Sequence, residues 1–380
     1  MLDVLNQMVQ SSGLAHLTVN NLIMICLACF FLYLGIKKEY EPYLMVPIAF
    51  GILLVNLPMA GLMDHPANGN PGGLLYYLYK GTSLGIYPPL IFLCLGASTD
   101  FGPLIANPKT ILLGGAAQVG IFLAFFLAIM LGMTPQEAAS VGIIGGADGP
   151  TAIYVTTKLA PDLLSTIALA AYSYMALVPI IQPPIIKLLT TKAERQVKMT
   201  QARTVSQKEK IIFPIMVTIF VSLLVPSATT LVGCLMLGNL VREIKIVPKI
   251  VPKIVENLQQ VVMFCITIIL GLTVGAKANG DLFLSATTLK IIALGLIAFA
   301  AGTAGGVLMG KVMYYLSGNK VNPMIGAAGV SAVPMAARVV QKVGQEEDPS
   351  NFLLMHAMGP NVAGVIGSAI ASGALLAFFG

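Results

Sequence analysis

A chain of 380 residues with 57% hydrophobic and 10% charged residues is not a soluble globular domain, in which roughly a quarter of residues are charged. Its mean hydropathy of +0.86 points instead to a polytopic membrane protein. The formal net charge of +6 does not imply a nucleic-acid partner. The basic residues cluster at span ends and in one loop, where the preference of cytoplasmic loops for Lys and Arg accounts for them.

In chain order, residues 1–20 show no basic residue ahead of the apolar run, so no cleavable signal peptide is expected. A first span covers 22–36 and is closed by Lys37, Lys38 and Glu39; a second covers 43–57. Lys37 and Lys38 favour the cytoplasmic side and put the N-terminus outside. Residues 64–73 form a Pro-, Gly- and Asn-rich loop in which His65 is solvated. Residues 74–83 combine Lys80 with Tyr76, Tyr77 and Tyr79, the composition of an interfacial helix. The run 86–97, opened by Pro88 and Pro89, is too short for an ordinary span of roughly 20 residues. Residues 110–131 form a clean span, 135–158 a broken one, and 163–189 a long one interrupted at Pro179 and at Pro183 and Pro184.

The loop 192–210 carries Lys192, Arg195, Lys198, Arg203, Lys208 and Lys210 against Glu194 and Glu209. It marks the cytoplasmic face; a second reading makes it a dock for a soluble partner. Spans follow at 211–225 and 228–240. The tandem IVPKIVPK at 246–253 is expected to be an interfacial linker, and 261–274 is again a short run. The span 289–309 has Gly302, Ala304, Gly305 and Gly306 for close helix packing. Residues 322–342 make a second Gly- and Pro-broken segment, and 351–379 is expected to break at Gly359, Pro360 and Asn361. Of the cysteines, only Cys26 and Cys29 form a CxxC, and it lies inside the first span, where helix packing accounts for it. No Walker A or dinucleotide fingerprint is present, so nucleotide hydrolysis by this chain is not expected.

Around the stretch GIIGGADGPTAIY at 142–154 the chain is organised. Glycines precede Asp148 and a Gly-Pro follows it. The helix from Pro135 is therefore expected to break near Gly145 and restart near Pro150, a position that needs no N–H donor. Such a break is tolerated in a membrane only where its freed backbone groups are buried in protein or line a wet cavity. The two halves share an order of features: a short run ending Leu95-Gly96-Ala97 or Val274-Gly275-Ala276, a long span, then GGADGPTA at 145–152 or GVSAVPMA at 329–336. Paired interrupted segments point to a transporter binding site. An inverted repeat is expected, with a parallel duplication as the alternative. The fold class is all-α, with about nine to eleven spans if each needs roughly 20 residues, some of them broken or re-entrant. The expected division is 1–84 (N-terminal spans and interfacial helix), 85–210 (first repeat, broken at Asp148), 211–260 (connecting spans and linker) and 261–380 (second repeat, broken at Ser331 and Asn361).

A buried carboxylate must be paired, neutralised or ion-bound. Asp148 is thus a candidate cation or proton site, or the partner of Arg338. Hard cations take oxygen ligands. Asn322, Asn361 and Ser331 offer them, although Asn also caps helices and Ser also packs them. Tyr174 is placed to hydrogen-bond Asp148 or relay a proton, or else to anchor at the interface; Tyr172 faces elsewhere. Arg338 is either a fork for an anionic substrate group or the end of a half-helix at the surface. His356 is a proton shuttle or a satisfied core histidine. Lys158 snorkels outward.

Taken together, GGADGPT at 145–151, NPMIG at 322–326, GVSAVPMAAR at 329–338 and NFLLMHAMGPNVAGVIGS at 351–368 resemble the beta subunit of sodium-pumping, biotin-dependent decarboxylases. That family serves oxaloacetate, methylmalonyl-CoA, glutaconyl-CoA and malonate decarboxylases, and the resemblance extends from about Tyr87 onward. It implies a membrane subunit that decarboxylates carboxybiotin and exports Na+ while a proton is taken up. Asp148 would be the essential sodium-binding aspartate, and Asn322 and Asn361 the sodium-ligating asparagines. Tyr174, Gly326, Ser331 and Arg338 match further functional positions; we expect Asp148, Tyr174, Ser331 and Arg338 to be catalytic, Arg338 to hold carboxybiotin, and Asp148, Asn322, Asn361 and Ser331 to hold the metal ion. The family further implies a biotin carrier subunit, a carboxyltransferase alpha subunit that selects the acid, a small membrane anchor subunit, a homotrimer of this chain, and the cytoplasmic membrane of a prokaryote. No nucleic acid is expected. Two rivals share the residue pattern: a stand-alone sodium symporter or sodium/proton antiporter, and a silent anchor for a soluble complex, which leaves Asp148 unexplained.

Overall fold

The computed structural model describes residue 10 and residues 12–38, 42–67, 70–244, 251–278, 280 and 285–380. Most of the interfacial linker expected at 246–253 therefore lies outside the described residues. Among those described, the regular structure is helical. The helices are α1 (Val19–Lys37), α2 (Pro42–Val55), α3 (Leu74–Ser83), α4 (Tyr87–Ser98), α5 (Ile111–Ala117), α6 (Val119–Met130), α7 (Pro135–Gly142), α8 (Gly149–Leu159), α9 (Leu164–Ala176), α10 (Val178–Leu189), α11 (Gln207–Leu224), α12 (Thr229–Ile244), α13 (Val251–Gly275), α14 (Ala286–Leu316), α15 (Met335–Glu347) and α16 (Leu354–Phe379). Capping boxes start several of them: Thr18 with Asn21, Thr134 with Glu137 and Ser206 with Glu209.

Four helical stretches among the described residues are long and apolar enough to cross a membrane: Val19–Lys37, Pro108–Met130, Ala286–Leu316 and Leu354–Phe379. Counting each of two bent pairs as one span raises the number to six: α3 with α4, bent by 67°, and Pro161–Met175 with α10, bent by 62°. That is fewer than the sequence suggests. The remaining apolar runs are cut short by turns and breaks, and α2 and Gln260–Gly275 fall below the length of a span. Large apolar side chains cover the outer faces of the long helices, among them Phe30, Phe126, Phe220, Leu223 and Leu289. Apolar exposure on that scale fits a lipid-facing surface and not an aqueous one.

The short apolar run expected at 261–274 is found at Gln260–Gly275, the C-terminal part of the longer helix α13. One further difference has a local cause. The last segment does not break at Gly359-Pro360-Asn361: α16 runs on with Pro360 inside it. Proline removes one intrahelical hydrogen bond. Here the helix is held on either side of that loss, since Gly359 packs on Thr110 and Gly364 on the backbone of Gly329.

The centre of the molecule is a crossing of backbones made possible by glycine. A Cβ on Gly120 would sit 2.2 Å from the Ala298 carbonyl oxygen of α14, and one on Gly326 1.9 Å from that of Gly306. No side chain fits there. The two long spans, 108–130 and α14, therefore approach each other and the broken segments that follow them at backbone contact.

Candidate ion site at the crossing of two broken helices

The first broken segment is built as its sequence dictates. Helix α7 tightens into a 3₁₀ turn, Ile143–Gly146. Ala147 then takes a left-handed conformation (φ 54°) and Asp148 an extended one (φ −129°, ψ 98°) before α8 begins. Asp148 is the N-cap of α8: its Oδ1 accepts the Thr151 N–H at 3.2 Å. Pro150 occupies the first turn, as expected. The second carboxylate oxygen, Oδ2, accepts a hydrogen bond from Ser368 Oγ of α16 at 2.7 Å. Asp148 is only 5% exposed. The positive end of α8 and the two donors favour its ionised form; burial opposes it.

The second broken segment crosses the first. Asn322 opens its 3₁₀ run, Pro323–Gly329, by accepting the Met324 N–H at 3.0 Å. Further on, the Ser331 N–H donates to the Gly146 carbonyl at 2.9 Å, which ties the two breaks together directly. Asn361 Nδ2 lies among the freed carbonyls of Ala328, Val330 and Ala332, at 3.0, 2.7 and 3.4 Å. Gln182 Nε2 takes up a fourth, that of Ala327, at 2.9 Å. The broken backbone is thus satisfied by side chains from neighbouring helices, as burial requires.

What these bonds leave over is oxygen. Asn361 Oδ1 and Ser331 Oγ are buried and have no hydrogen-bond partner. One carboxylate beside unsatisfied neutral oxygens is the donor set of a hard monovalent cation. Among the described residues no three of His, Cys, Asp and Glu gather into a metal cluster, which leaves no site of the zinc kind. A cavity of about 710 Å³ opens onto the crossing, with Asp148, Pro150, Ser331 and Tyr172 in its wall and apolar residues of α4 and α13 opposite.

Asp148, Ser331 and Asn361 are therefore brought together by the two breaks. Other expected residues lie elsewhere. Tyr174 does not reach Asp148: its hydroxyl donates to the Ile292 carbonyl of α14, and its ring packs on Gly295. Two residues along a helix turn a side chain by about 200°, so it is Tyr172 that packs on Gly149 and faces the cavity. Asn322 is turned away as well. Its Nδ2 donates to the carbonyls of Arg195 and Val197 at 3.0 and 2.9 Å, so it holds the polar loop. Asp148 and Arg338 are not paired; Arg338 is exposed on α15, one turn past Pro334, and makes no ion pair among the described residues. His356 is half-buried and lines a separate cavity of about 240 Å³ with Lys320, Thr110 and Gln201. Lys158 bonds the Tyr154 hydroxyl at 2.9 Å and stays exposed. Cys26 and Cys29 are exposed free thiols on α1.

The basic loop is largely engaged within the chain. Arg195 pairs with Glu347 at 2.7 Å, Lys198 with Asp348 at 3.0 Å, Arg203 with Glu209 at 2.6 Å and Lys210 with Asp100 at 3.3 Å. The partners of the first two come from the end of α15, more than a hundred residues away in sequence.

Sequence reasoning passed over Ser368. The signal was present: Ser368 follows Asn361 by seven residues, two turns of one helix, and so shares its face. A serine does not stand out in a Gly- and Ala-rich helix until its partner is known.

Residues 20–379 match the family model described as the Na+-transporting oxaloacetate decarboxylase beta subunit. The methylmalonyl-CoA decarboxylase subunit beta of Propionigenium modestum is 58% identical over 399 aligned residues, covering 100% of both chains. The glutaconyl-CoA decarboxylase subunit beta of Acidaminococcus fermentans is 54% identical, covering 99% of this chain and 98% of its own. The oxaloacetate decarboxylase beta chain of Klebsiella pneumoniae is 48% identical, covering 99% of each. These relatives are not stand-alone carriers but subunits of decarboxylases, and the resemblance read from the motifs extends to the whole protein: this chain belongs to the family of Na+-transporting decarboxylase beta subunits.

Proposed function

We propose that this chain is the membrane subunit of a primary sodium pump, in which loss of CO2 from carboxybiotin on a partner subunit drives Na+ export and a proton is taken up in return. The observation that carries this reading is the placement of Asp148, one buried carboxylate where two broken helices cross, open to a cavity of about 710 Å³. Asp148, Ser331 and Asn361 would hold sodium through carboxylate, hydroxyl and amide oxygen. In this arrangement Asn322 and Tyr174 act on the site indirectly. Asn322 fixes the polar loop and the start of the second break, and Tyr174 ties α9 to α14. Export requires that the site open to opposite sides in turn, with the carboxylated partner favouring one state over the other. Arg338 is exposed and free of ion pairs among the described residues, and it supplies a fork for the carboxylate of carboxybiotin.

The same reading places the protein in the cytoplasmic membrane of a bacterium. Its partners there are a biotin carrier, a carboxyltransferase alpha subunit and a small membrane anchor subunit, and this chain forms a homotrimer. We further propose that the short and bent helices complete a set of about nine to eleven crossings, each ordinarily needing roughly 20 residues, and that the two breaks belong to an inverted repeat. The test is the intact complex in sealed vesicles. Asp148→Asn should abolish Na+ uptake and lower Na+-stimulated decarboxylation by about 100-fold or more, the scale of removing one charge from a buried ionic site. Wild-type pumping by that variant would refute the assignment.

A further inference from the structure

The cavity lies on one side of Asp148; on the other side the structure holds a second set of oxygens that the reading above does not use. Gln118 sits at the seam between α5 and α6, in the middle of the apolar span Pro108–Met130, and is 5% exposed. An amide at that depth is costly unless it is employed. Its Nε2 is employed: it donates to the Gly114 carbonyl at 2.9 Å and reaches that of Gly364 on α16 at 3.4 Å. Two carbonyl acceptors fix which end of the amide is nitrogen. Its Oε1 is buried and has no hydrogen-bond partner, so tying α5 to α16 explains half of the side chain only.

That oxygen faces Gly146. A Cβ on Gly146 would lie 3.6 Å from Gln118 Oε1, 3.2 Å from Ser368 Cβ and 3.2 Å from Ile121 Cδ1, so the missing side chain of Gly146 lets Gln118 and Ser368 both approach the first break, next to a methyl group of Ile121. Gln118 can come this close to α16 because Gly367, the neighbour of Ser368, carries no side chain; a Cβ there would lie 3.0 Å from Nε2. Ser368 Oγ stands 2.7 Å from Asp148 Oδ2 and 3.0 Å from the Val365 carbonyl. Its single hydrogen serves the carboxylate, and both lone pairs of Oγ stay available. A hydroxyl that donates to a carboxylate while offering lone pairs beside it is suited to share a cation with that carboxylate.

We infer that Gln118 Oε1 and Ser368 Oγ are sodium ligands, completing the coordination of the ion at Asp148 on the side turned away from the cavity. The inference rests on the proposal that Asp148 holds sodium. On it, the closed side of the site selects a hard cation through fixed neutral oxygens, while the open side, with Ser331, admits the ion.

Equilibrium binding of radioactive Na+ to the purified complex tests this independently of turnover, alongside the Na+ dependence of decarboxylation. Gln118→Met and Ser368→Ala should each weaken Na+ binding about tenfold or more, the cost of leaving a buried polar site one partner short. Ser368→Thr keeps the hydroxyl and should bind Na+ as the wild type does. A role in packing alone would lower assembly or maximal turnover and leave Na+ affinity in place; that result, with binding abolished in Asp148→Asn, overturns the inference and leaves the function standing. Wild-type Na+ binding by Asp148→Asn overturns both. Should Gln118→Met fail to assemble, the Ser368 pair decides the matter: weakened Na+ binding in Ser368→Ala with wild-type binding in Ser368→Thr supports ligation, and wild-type binding in both refutes it.

Discussion

The two broken helices share a plan and differ in where their hydrogen bonds come from. Both pass through a 3₁₀ turn and restart as a helix beside a proline. At the first, the residue that caps the restart is Asp148 itself, and α8 beyond it is buried almost throughout. At the second, the carbonyls at the break are capped from outside, by Asn361 of α16 and Gln182 of α10. The helix that follows, α15, is half out of the protein, with Ala336, Val339 and Val343 inward and Arg338 and Lys342 outward. The first break carries its own charge and can respond to an ion within one turn of chain. The second is held by its neighbours and moves only if they do.

Removing the charge alone breaks this comparison most sharply. Asp148→Asn keeps a side chain that caps helices well, so the fold at the first break should survive while Na+-stimulated turnover falls by about 100-fold or more. Ser331→Ala at the second break removes a neutral oxygen and should cost about tenfold in Na+ half-saturation. Both are read from decarboxylation against Na+ concentration in the assembled complex. A larger loss in Ser331→Ala than in Asp148→Asn would mean that charge is not what sets the two breaks apart.

Borrowed capping makes the opposite prediction for stability. Asn361→Leu strips the amide from among three buried carbonyls, each of which costs about 1–3 kcal/mol when left unsatisfied. Thermal unfolding in detergent should register a loss of about 3 kcal/mol or more, well beyond that of Asp148→Asn. Equal losses would show that the second break is capped by something other than Asn361.

The same difference explains what was legible in the sequence. The first break could be placed to within a few residues, because Gly145, Gly146, Asp148 and Pro150 act locally: backbone freedom, a cap and a proline at the first turn. The second break could be found but not its partners, since Asn361 and Gln182 arrive from helices far along the chain. Asn322 shows the limit from the other side. Its residue type suits an ion ligand, and only the fold reveals that both ends of its amide are taken, by Met324 and by the loop at Arg195 and Val197. Tyr172 and Tyr174 were separable by helical angle, yet which of them faces Asp148 depends on how α9 is rotated against α14. Pro360 was misjudged because proline signals a break only where packing does not hold the helix together. The number of crossings was likewise not legible, since apolar composition says nothing about where a run bends.

The smallest effect concerns how the second break is anchored at the polar loop. Asn322 and Asn351 both donate to the carbonyls of Arg195 and Val197, while Lys187, Arg195 and Lys198 pair with Glu346, Glu347 and Asp348 at the end of α15. The Ser350 hydroxyl, and after it Lys198, hold the Asp348 carboxyl down at about 2, and Lys187 holds that of Glu346 below its ordinary value. Carboxyls depressed in the folded state contribute fully above the unfolded carboxylate range of about 4, and their contribution is lost as pH falls toward the folded value. Hydrogen exchange of the backbone over 192–200, corrected for its intrinsic pH dependence, should therefore be flat from pH 8 to about pH 5 and quicken below about pH 4. Salt should quicken it modestly, because the exposed pairs are screened over about 8–10 Å. Asn322→Ala should quicken it about fivefold at neutral pH, the worth of one neutral hydrogen bond of about 1 kcal/mol, and do so equally at low and high salt. If Asn322→Ala also raises the Na+ half-saturation while Asn351→Ala, which frees the same carbonyls, does not, then Asn322 acts on the ion directly in another state of the pump. If both variants loosen the loop and leave Na+ affinity alone, the tether governs only how the second break is held.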